Sequence, residues 1–227
     1  MATLALIGSG RIGGLLARFA VDGGLDVVVS NSRGPETLSG LVADLGPRAR
    51  AATAREAAEA GDLVVVTIPF HAYHHIPKEP LAGKVVIDTG NYYPARDGVH
   101  PELVSGETTS SELLQAQLDA SHVVKAFNNI YSGHLAALPR PVGAPDRSVL
   151  PIAGDDPDAK KQAAELISVL GYDTLDAGPL AEGWRFDPGT PLFGMPYGDV
   201  PAAHFQSRPA APTPAATISA GLAVARR

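Results

Sequence analysis

The stretch TLALIGSGRIGGLLARFAVDGGLDVVVSNSR, Thr3 to Arg33, decides how this chain folds. A short apolar run, Leu4 to Ile7, enters Gly8-Ser9-Gly10-Arg11-Ile12-Gly13. A helical pattern follows, and a second apolar run, Val27 to Val29, completes a strand, helix, strand unit. A lone GxGxxG says little, but one that leaves a strand and opens a helix within about 30 residues is a dinucleotide fingerprint. Gly8 permits the tight turn, Gly10 lets the backbone approach a pyrophosphate with no Cβ between, and Gly13 lets helix and strand pack closely. The pyrophosphate is expected on the free N–H groups and positive dipole end of the helix that starts near Arg11.

The end of the second strand selects the cofactor. An NAD binder usually places Asp or Glu there, about 20 residues past the glycines, to accept hydrogen bonds from the ribose 2′-OH. This chain has Ser30, Asn31, Ser32 and Arg33 instead, and its nearby acid, Asp26, falls at the start of the strand, the wrong end of the sheet. A carboxylate would repel a 2′-phosphate, whereas an Arg fork with hydroxyl and amide donors matches its oxygens. The reading is NADP(H), held at its 2′-phosphate by Asn31, Ser32 and Arg33.

Outward from that unit, strand and helix patterns alternate. Glu36 to Leu45 and Ala54 to Ala60 read as helices, and Arg48 to Ala52 as a short strand. Leu63 to Ile68 (LVVVTI), Lys84 to Asp88 (KVVID) and His122 to Phe127 (HVVKAF) are continuous apolar runs, as parallel strands covered on both faces require. Phe70 to Ile76 reads as a helical turn or loop, and Ser110 to Leu118 as a helix capped by Ser110 or Ser111. Ser148 to Ala153 and Asp173 to Ala177 are further strands, separated by an acidic-capped helix that ends at Leu170. The expectation is an α/β protein, a Rossmann-like, doubly wound, mostly parallel sheet over residues 1–180.

Residues 181–227 lose this pattern. They are rich in Pro and Gly yet carry Trp184, Phe186, Phe193, Tyr197 and Phe205, which disordered tails lack. The tail is expected to dock over the cleft or on a twofold partner, with a closing helix over Ala215 to Ala225.

Composition excludes several classes. The 227 residues carry a formal net charge of -6, which argues against nucleic acid or anionic membrane as the main partner. With no cysteine, there is no disulfide, thiolate metal ligand or thiol nucleophile. The apolar run at the N-terminus is too short for a signal peptide or membrane span, so a cytoplasmic protein is expected.

Together, the glycine loop, the Asn31-Ser32-Arg33 segment, Thr67-Ile68-Pro69-Phe70, Lys125-Ala126-Phe127-Asn128-Asn129, Gly154-Asp155-Asp156 and Asp176-Ala177-Gly178-Pro179-Leu180 carry a further signal. This set resembles the deazaflavin-dependent NADP oxidoreductase family, whose namesake members exchange hydride between NADP(H) and the deazaflavin coenzyme F-420. It is similar as well to the reductase domain of the STEAP metalloreductases, which passes NADPH electrons to a flavin. The resemblance implies NADP(H) across the carboxyl ends of the strands, a deazaflavin or flavin as second substrate, and a homodimer. It assigns Ser9, Arg11 and Ile12 to the phosphate loop, and Ser32 and Arg33 to the 2′-phosphate. Ile68, Pro69 and Phe70 would line the cofactor, and Ala126, Phe127 and Asn128 would border the nicotinamide. After Leu180 the chain departs from the helical C-terminus of the deazaflavin enzymes.

Hydride transfer between a nicotinamide and a flavin or deazaflavin needs no protein acid or base at the hydride step. A carbonyl or imine substrate would need a proton donor. Donors on loops after strands are His71, Tyr73, Asn91, Tyr92, Lys125 and Asn128, with His71, Tyr92 and Asn128 as the catalytic candidates. Lys125 reads as surface-directed within its strand, and Asn128 as a holder of the nicotinamide carboxamide or a turn residue. His71, His74 and His75 lack acidic companions, so no metal is expected. Tyr92, Tyr93 and Trp184 are candidates to stack on an aromatic substrate. The readings are, in order, hydride transfer to a deazaflavin or flavin, reduction of a small carbonyl or imine, and non-catalytic sensing of NADP(H).

Overall fold

The computed structural model describes residues 2–198 and 209–227; Phe205, one of the tail aromatics, lies outside them. The strands are β1 (Thr3–Ile7), β2 (Asp26–Ser30), β3 (Ala49–Ala51), β4 (Leu63–Val66), β5 (Val85–Asp88), β6 (His122–Lys125), β7 (Val149–Gly154) and β8 (Asp173–Asp176). They form one sheet in the order β3-β2-β1-β4-β5-β6-β7-β8. Leu6 lies beside Val29 on one side and Val65 on the other, both in parallel register. Leu4 and Leu6 enter one apolar core, and Ala5 and Ile7 the other. Burial on both faces is why the central strands read as unbroken apolar runs rather than alternating ones.

The chain leaves β1 toward β2 and β3, then returns to lay β4, β5 and β6 on the opposite side. The crevice outside the carboxyl ends of β1 and β4 is therefore a topological switch point, where open α/β sheets bind their ligands. Between β6 and β7 the pairing is antiparallel, while β7 and β8 are parallel.

Helix α1 (Arg11–Asp22) buries Leu16, Ala17 and Ala20. The helix expected from Glu36 is split into a 3-10 turn, Pro35–Leu38, and α2 (Ser39–Leu45). Helix α3 (Ala54–Ala60) opens with a capping box between Thr53 and Glu56. Two short helices, α4 (Pro94–Asp97) and α5 (Pro101–Val104), follow β5, and then α6 (Ser110–Gln117). The cap of α6 is Thr109, whose side chain accepts from the Glu112 N–H, so the assignment to Ser110 or Ser111 is corrected. Ser111 instead faces inward and donates to Asp88. Helices α7 (Ser132–Ala137), α8 (Pro157–Val169) and α9 (Ala215–Val224) complete the α-helices of the described residues.

Beyond β8, a 3-10 segment over Leu180–Phe186 packs on β6 and β7. Leu180, Phe186, Leu192 and Tyr197 are buried, and α9 packs on β7 and β8. A Cβ at Gly221 of α9 would press on Leu192 Cδ2, so a larger residue there would force the Leu192 side chain to move. Among the described residues no helix is long and apolar enough to cross a membrane.

Candidate functional site

At two of its glycines the turn after β1 is built by contacts that leave no room for a Cβ. Gly8 has φ +109°, and a Cβ on it would lie 2.6 Å from Thr67 Oγ1. Thr67 in turn donates its hydroxyl to the Gly8 carbonyl at 2.8 Å. A Cβ on Gly13 would lie 2.3 Å from that same carbonyl oxygen, whereas one on Gly10 would meet nothing within 4 Å. Gly8 and Gly13 thus serve the fold, and Gly10 opens on free space at the start of α1. Gly13→Ala is expected to cost about 1–3 kcal/mol through overpacking, a fall in Tm of roughly 2–12 °C with weakened dinucleotide binding. Thermal unfolding and a cofactor titration check it; an unchanged Tm would contradict the packing role.

From this turn a cleft runs across the strand ends. One part, about 310 Å³, is lined by Gly10, Arg11, Ile12, Thr67, Ile68, Pro69, Thr89, Gly90, Asn91, Tyr93 and Arg96. The next part, about 480 Å³, shares Arg11, Ile12, Thr89, Asn91, Tyr93 and Arg96 and extends past Phe127, Asn128, Asn129 and Tyr131 to Phe193 and Gly194. At the end of β2, Ser30 turns inward and donates to the Leu6 carbonyl. Asn31 organises the loop: its Nδ2 donates to Thr37 Oγ1 and its Oδ1 accepts the Arg33 N–H. Ser32 and Arg33 are exposed. Asp26 is at the opposite end of β2, paired with Arg48 at 3.2 Å.

Past β6 the backbone is strained. Phe127 has φ +62°, rare for an aromatic residue and a mark of over-determined surroundings. The turn places Asn128 and Asn129, both buried, in the cleft wall. Asn128 Nδ2 lies 3.1 Å from each of Asn91 Oδ1, the Phe186 carbonyl and Asp187 Oδ1, while its own Oδ1 is buried with no hydrogen-bond partner. Asn91 Nδ2 donates to the Asn128 carbonyl.

Lys125 corrects the surface-directed reading, for its side chain is fully buried. Its Nζ stands 2.9 Å from Asp187, 3.2 Å from Ser111 Oγ and 3.4 Å from the Gly90 carbonyl. The 3-10 segment after β8 covers its stem, and a Cβ at Gly183 would press on Lys125 Cδ at 2.6 Å. Asp88 completes the cluster, accepting from Ser111 Oγ and from the Tyr73 hydroxyl. Burial pushes the Asp187 carboxyl up, with Lys125 opposing it; burial and then Asp88 push the Tyr73 phenol well up, so it remains a donor.

The other candidates lie off the cleft. Phe70, His71, Tyr73 and His74 line a separate pocket of about 280 Å³ with Asp97 and His100. The Tyr92 hydroxyl donates to the Gly98 carbonyl and accepts the His100 N–H, and its ring packs edge-on to Phe70. Ala126 is fully buried behind the wall. Trp184 lies under the Arg185 guanidinium. Among the described residues no three His, Asp or Glu side chains gather as a metal site.

His71 Nδ1 stands 2.8 Å from Asp97 Oδ1. Burial would raise the Asp97 carboxyl, but the Arg96 fork, the Tyr93 N–H and His71 hold it far below the usual carboxylate range. A carboxyl lowered in the folded state stabilises above its unfolded value of about 3.9, and that stability is lost as pH falls toward the folded value. Asp97→Asn is therefore expected to lower stability at pH 7 and flatten the acid-side loss below about pH 4. Urea unfolding across pH checks this; an unchanged acid slope would contradict it.

Arg96, Tyr131 and Asp187 were not singled out from sequence, while Asn129 entered only within the Lys125–Asn129 segment and Phe193 only as a tail aromatic expected to dock. The fork of Arg96 on Asp97 and its bond to the Asn91 carbonyl are what aim it at the cleft. Phe193 and Asp187 come from the aperiodic tail, where aromatic content was the available signal.

Comparison with known proteins bears on this arrangement. Residues 3–92 match the family described as NADP oxidoreductase, coenzyme F420-dependent. Metalloreductase STEAP3 of Rattus norvegicus is 31% identical over 200 residues, covering 87% of this chain and 38% of its own. The F420-dependent NADP reductase of Methanocaldococcus jannaschii is 31% identical over 144 residues, covering 61% of this chain and 63% of its own. The chain thus spans less than two thirds of the length of either curated relative. The crystal structure of a hypothetical protein from Sinorhizobium meliloti is similar at TM-score 0.72 and 32% identity, over 85% of this chain and 93% of that one. The matched residues 3–92 hold the glycine turn, the Asn31-Ser32-Arg33 loop and the Thr67-Ile68-Pro69-Phe70 segment, and it is through this stretch that the chain resembles the coenzyme F420-dependent NADP oxidoreductase family.

Proposed function

We propose that the protein is an NADP(H)-dependent oxidoreductase that moves hydride between the nicotinamide and a planar deazaflavin or flavin ring. The residues present fit the dinucleotide. Gly10 leaves open space beside the N-terminus of α1 for the pyrophosphate, Ser32 and Arg33 stand exposed at the end of β2, and Asn128 offers a buried oxygen without a partner. When bound, the nicotinamide supplies or takes up hydride at C4. The chain's residues bind, orient and exclude water around it.

The observation that carries the choice of acceptor is the chemistry of the 480 Å³ part of the cleft, whose lining among the described residues contains no His, Lys, Asp or Glu. Of its two cations, Arg96 is committed to Asp97. Such a wall suits a hydride passed between stacked rings, which asks the protein for geometry rather than for a proton at that step. Rapid mixing of the protein and NADPH with F-420 or FMN is expected to show coupled loss of the nicotinamide and ring absorbances. Failure of every deazaflavin and flavin tried to oxidise NADPH would remove this reading.

A second reading draws on Phe193 and Gly194, which line the cleft together with Tyr93 and Tyr131. Burial raises the Tyr93 phenol, so it stays protonated at neutral pH. That would suit reduction of a small carbonyl or imine with a tyrosine as proton donor. NADPH-dependent turnover of such substrates, lost in Tyr93→Phe, would move the assignment there.

A further inference from the structure

The segment after the last strand does more than cover the sheet, because Asp187 reaches Asn128, a residue of the cleft wall. Its Oδ1 lies 2.9 Å from Lys125 Nζ and 3.1 Å from Asn128 Nδ2. The orientation of the Asn128 amide is fixed by the Phe186 main-chain carbonyl, also 3.1 Å away, which can only accept. The amide nitrogen is therefore turned toward Asp187 and Phe186, and the amide oxygen is left buried with no partner in a residue that lines the cleft. A buried acceptor without a donor is costly, and a ligand N–H that supplies one is favoured by the same amount.

We infer that Asp187 is a positioning residue: anchored by Lys125, it holds the Asn128 amide so that its oxygen receives the N–H of a primary carboxamide at the nicotinamide end. This rests on the NADP(H) reading above and adds to it the group that sets the carboxamide contact. Asp187 acts through Asn128 and touches no reacting atom. Arg33, which would read the 2′-phosphate, lies at the other end of the site, past β2.

The test compares two ligands on one protein. In the 3-acetylpyridine analogue of NADP+ a methyl ketone replaces the carboxamide, so the N–H donors are gone while the shape is kept. Calorimetry on the full chain is expected to give NADP+ binding at least about tenfold tighter than the analogue. In Asp187→Leu that ratio should fall below about twofold, and in Asp187→Asn, whose amide oxygen still accepts from Lys125 and Asn128, it should largely survive. The NADP+ to NAD+ ratio should stay as in the wild type in both, which separates positioning from general loosening. If Asp187→Leu does not fold because it strands the buried Lys125 charge, the double variant Lys125→Met with Asp187→Leu removes both charges and carries the same expectation. Equal affinity of the wild type for NADP+ and the analogue, or a tenfold ratio that survives Asp187→Leu or the double variant, would overturn the inference. Binding of neither dinucleotide would overturn the NADP(H) reading as well.

Discussion

Replacing Arg33 by Ala is expected to weaken NADPH binding by about 10- to 100-fold while changing NADH binding by no more than about twofold. Hydrogen bonds to charged groups contribute about 1.5–3 kcal/mol each, and about 1.4 kcal/mol is a factor of ten. The backbone of Arg33 is held by Asn31 Oδ1, and its side chain is exposed to a ligand. Asn31, Ser32 and Arg33 supply no carboxylate to a ribose 2′-OH, so removing Arg33 takes nothing from the unphosphorylated dinucleotide. Fluorescence titration of both cofactors reads the outcome. An equal loss for both, or no loss for NADPH, would show that the 2′-phosphate sits elsewhere.

The second large effect is on stability. Lys125→Ala is expected to destabilise the fold by about 3–5 kcal/mol, the usual consequence of removing one partner of a buried ion pair. Asp187 would lose its cation, and Ser111 and the Gly90 carbonyl would lose a donor. The loss has a pH signature. Without Lys125 the Asp187 carboxyl rises further above its unfolded value, so the folded chain binds the extra proton and the variant regains stability as pH falls toward the unfolded carboxylate range. Urea unfolding at pH 5 and pH 8 reads both effects. A loss below about 1 kcal/mol, or one that grows on acidification, would contradict the buried pairing.

Lys125 also shows where sequence reasoning stops. Within HVVKAF a lone Lys gives no sign of burial, because the group that neutralises it, Asp187, arrives from a segment with no periodicity. By contrast the glycine turn was fully legible: strand, turn and helix are local, and each glycine's job follows from backbone geometry. The valine runs of β4 and β5 identified strands covered on both faces, for the same local reason. The antiparallel entry of β7 was not legible, since strand direction depends on the path taken by the chain between β6 and β7. The cap of α6 was there to be read, for Thr109-Ser110-Ser111-Glu112 is the S/T-x-x-E pattern of a capping box.

At the site, Gly10, Arg11, Ile12, Ile68, Pro69, Phe127 and Asn128 do line the cleft. Phe70, His71 and Tyr92 share their loops with cleft residues yet point to the other side of the Asp97 hub, where His71 pairs with Asp97 and Tyr92 with Gly98. Sequence places a residue on a loop, but which side of the loop it faces is settled by partners such as Asp97. That is why the glycine-turn end of the cleft was readable and the end past Phe127 was only partly so.

Calorimetric titration of the wild-type protein with NADPH and with NADH tests the central claim most directly. NADPH binding at one site per chain, at least about tenfold tighter than NADH, is the result predicted by the open Gly10 turn and the exposed Arg33. Equal affinity for the two, or no binding of either, would contradict it.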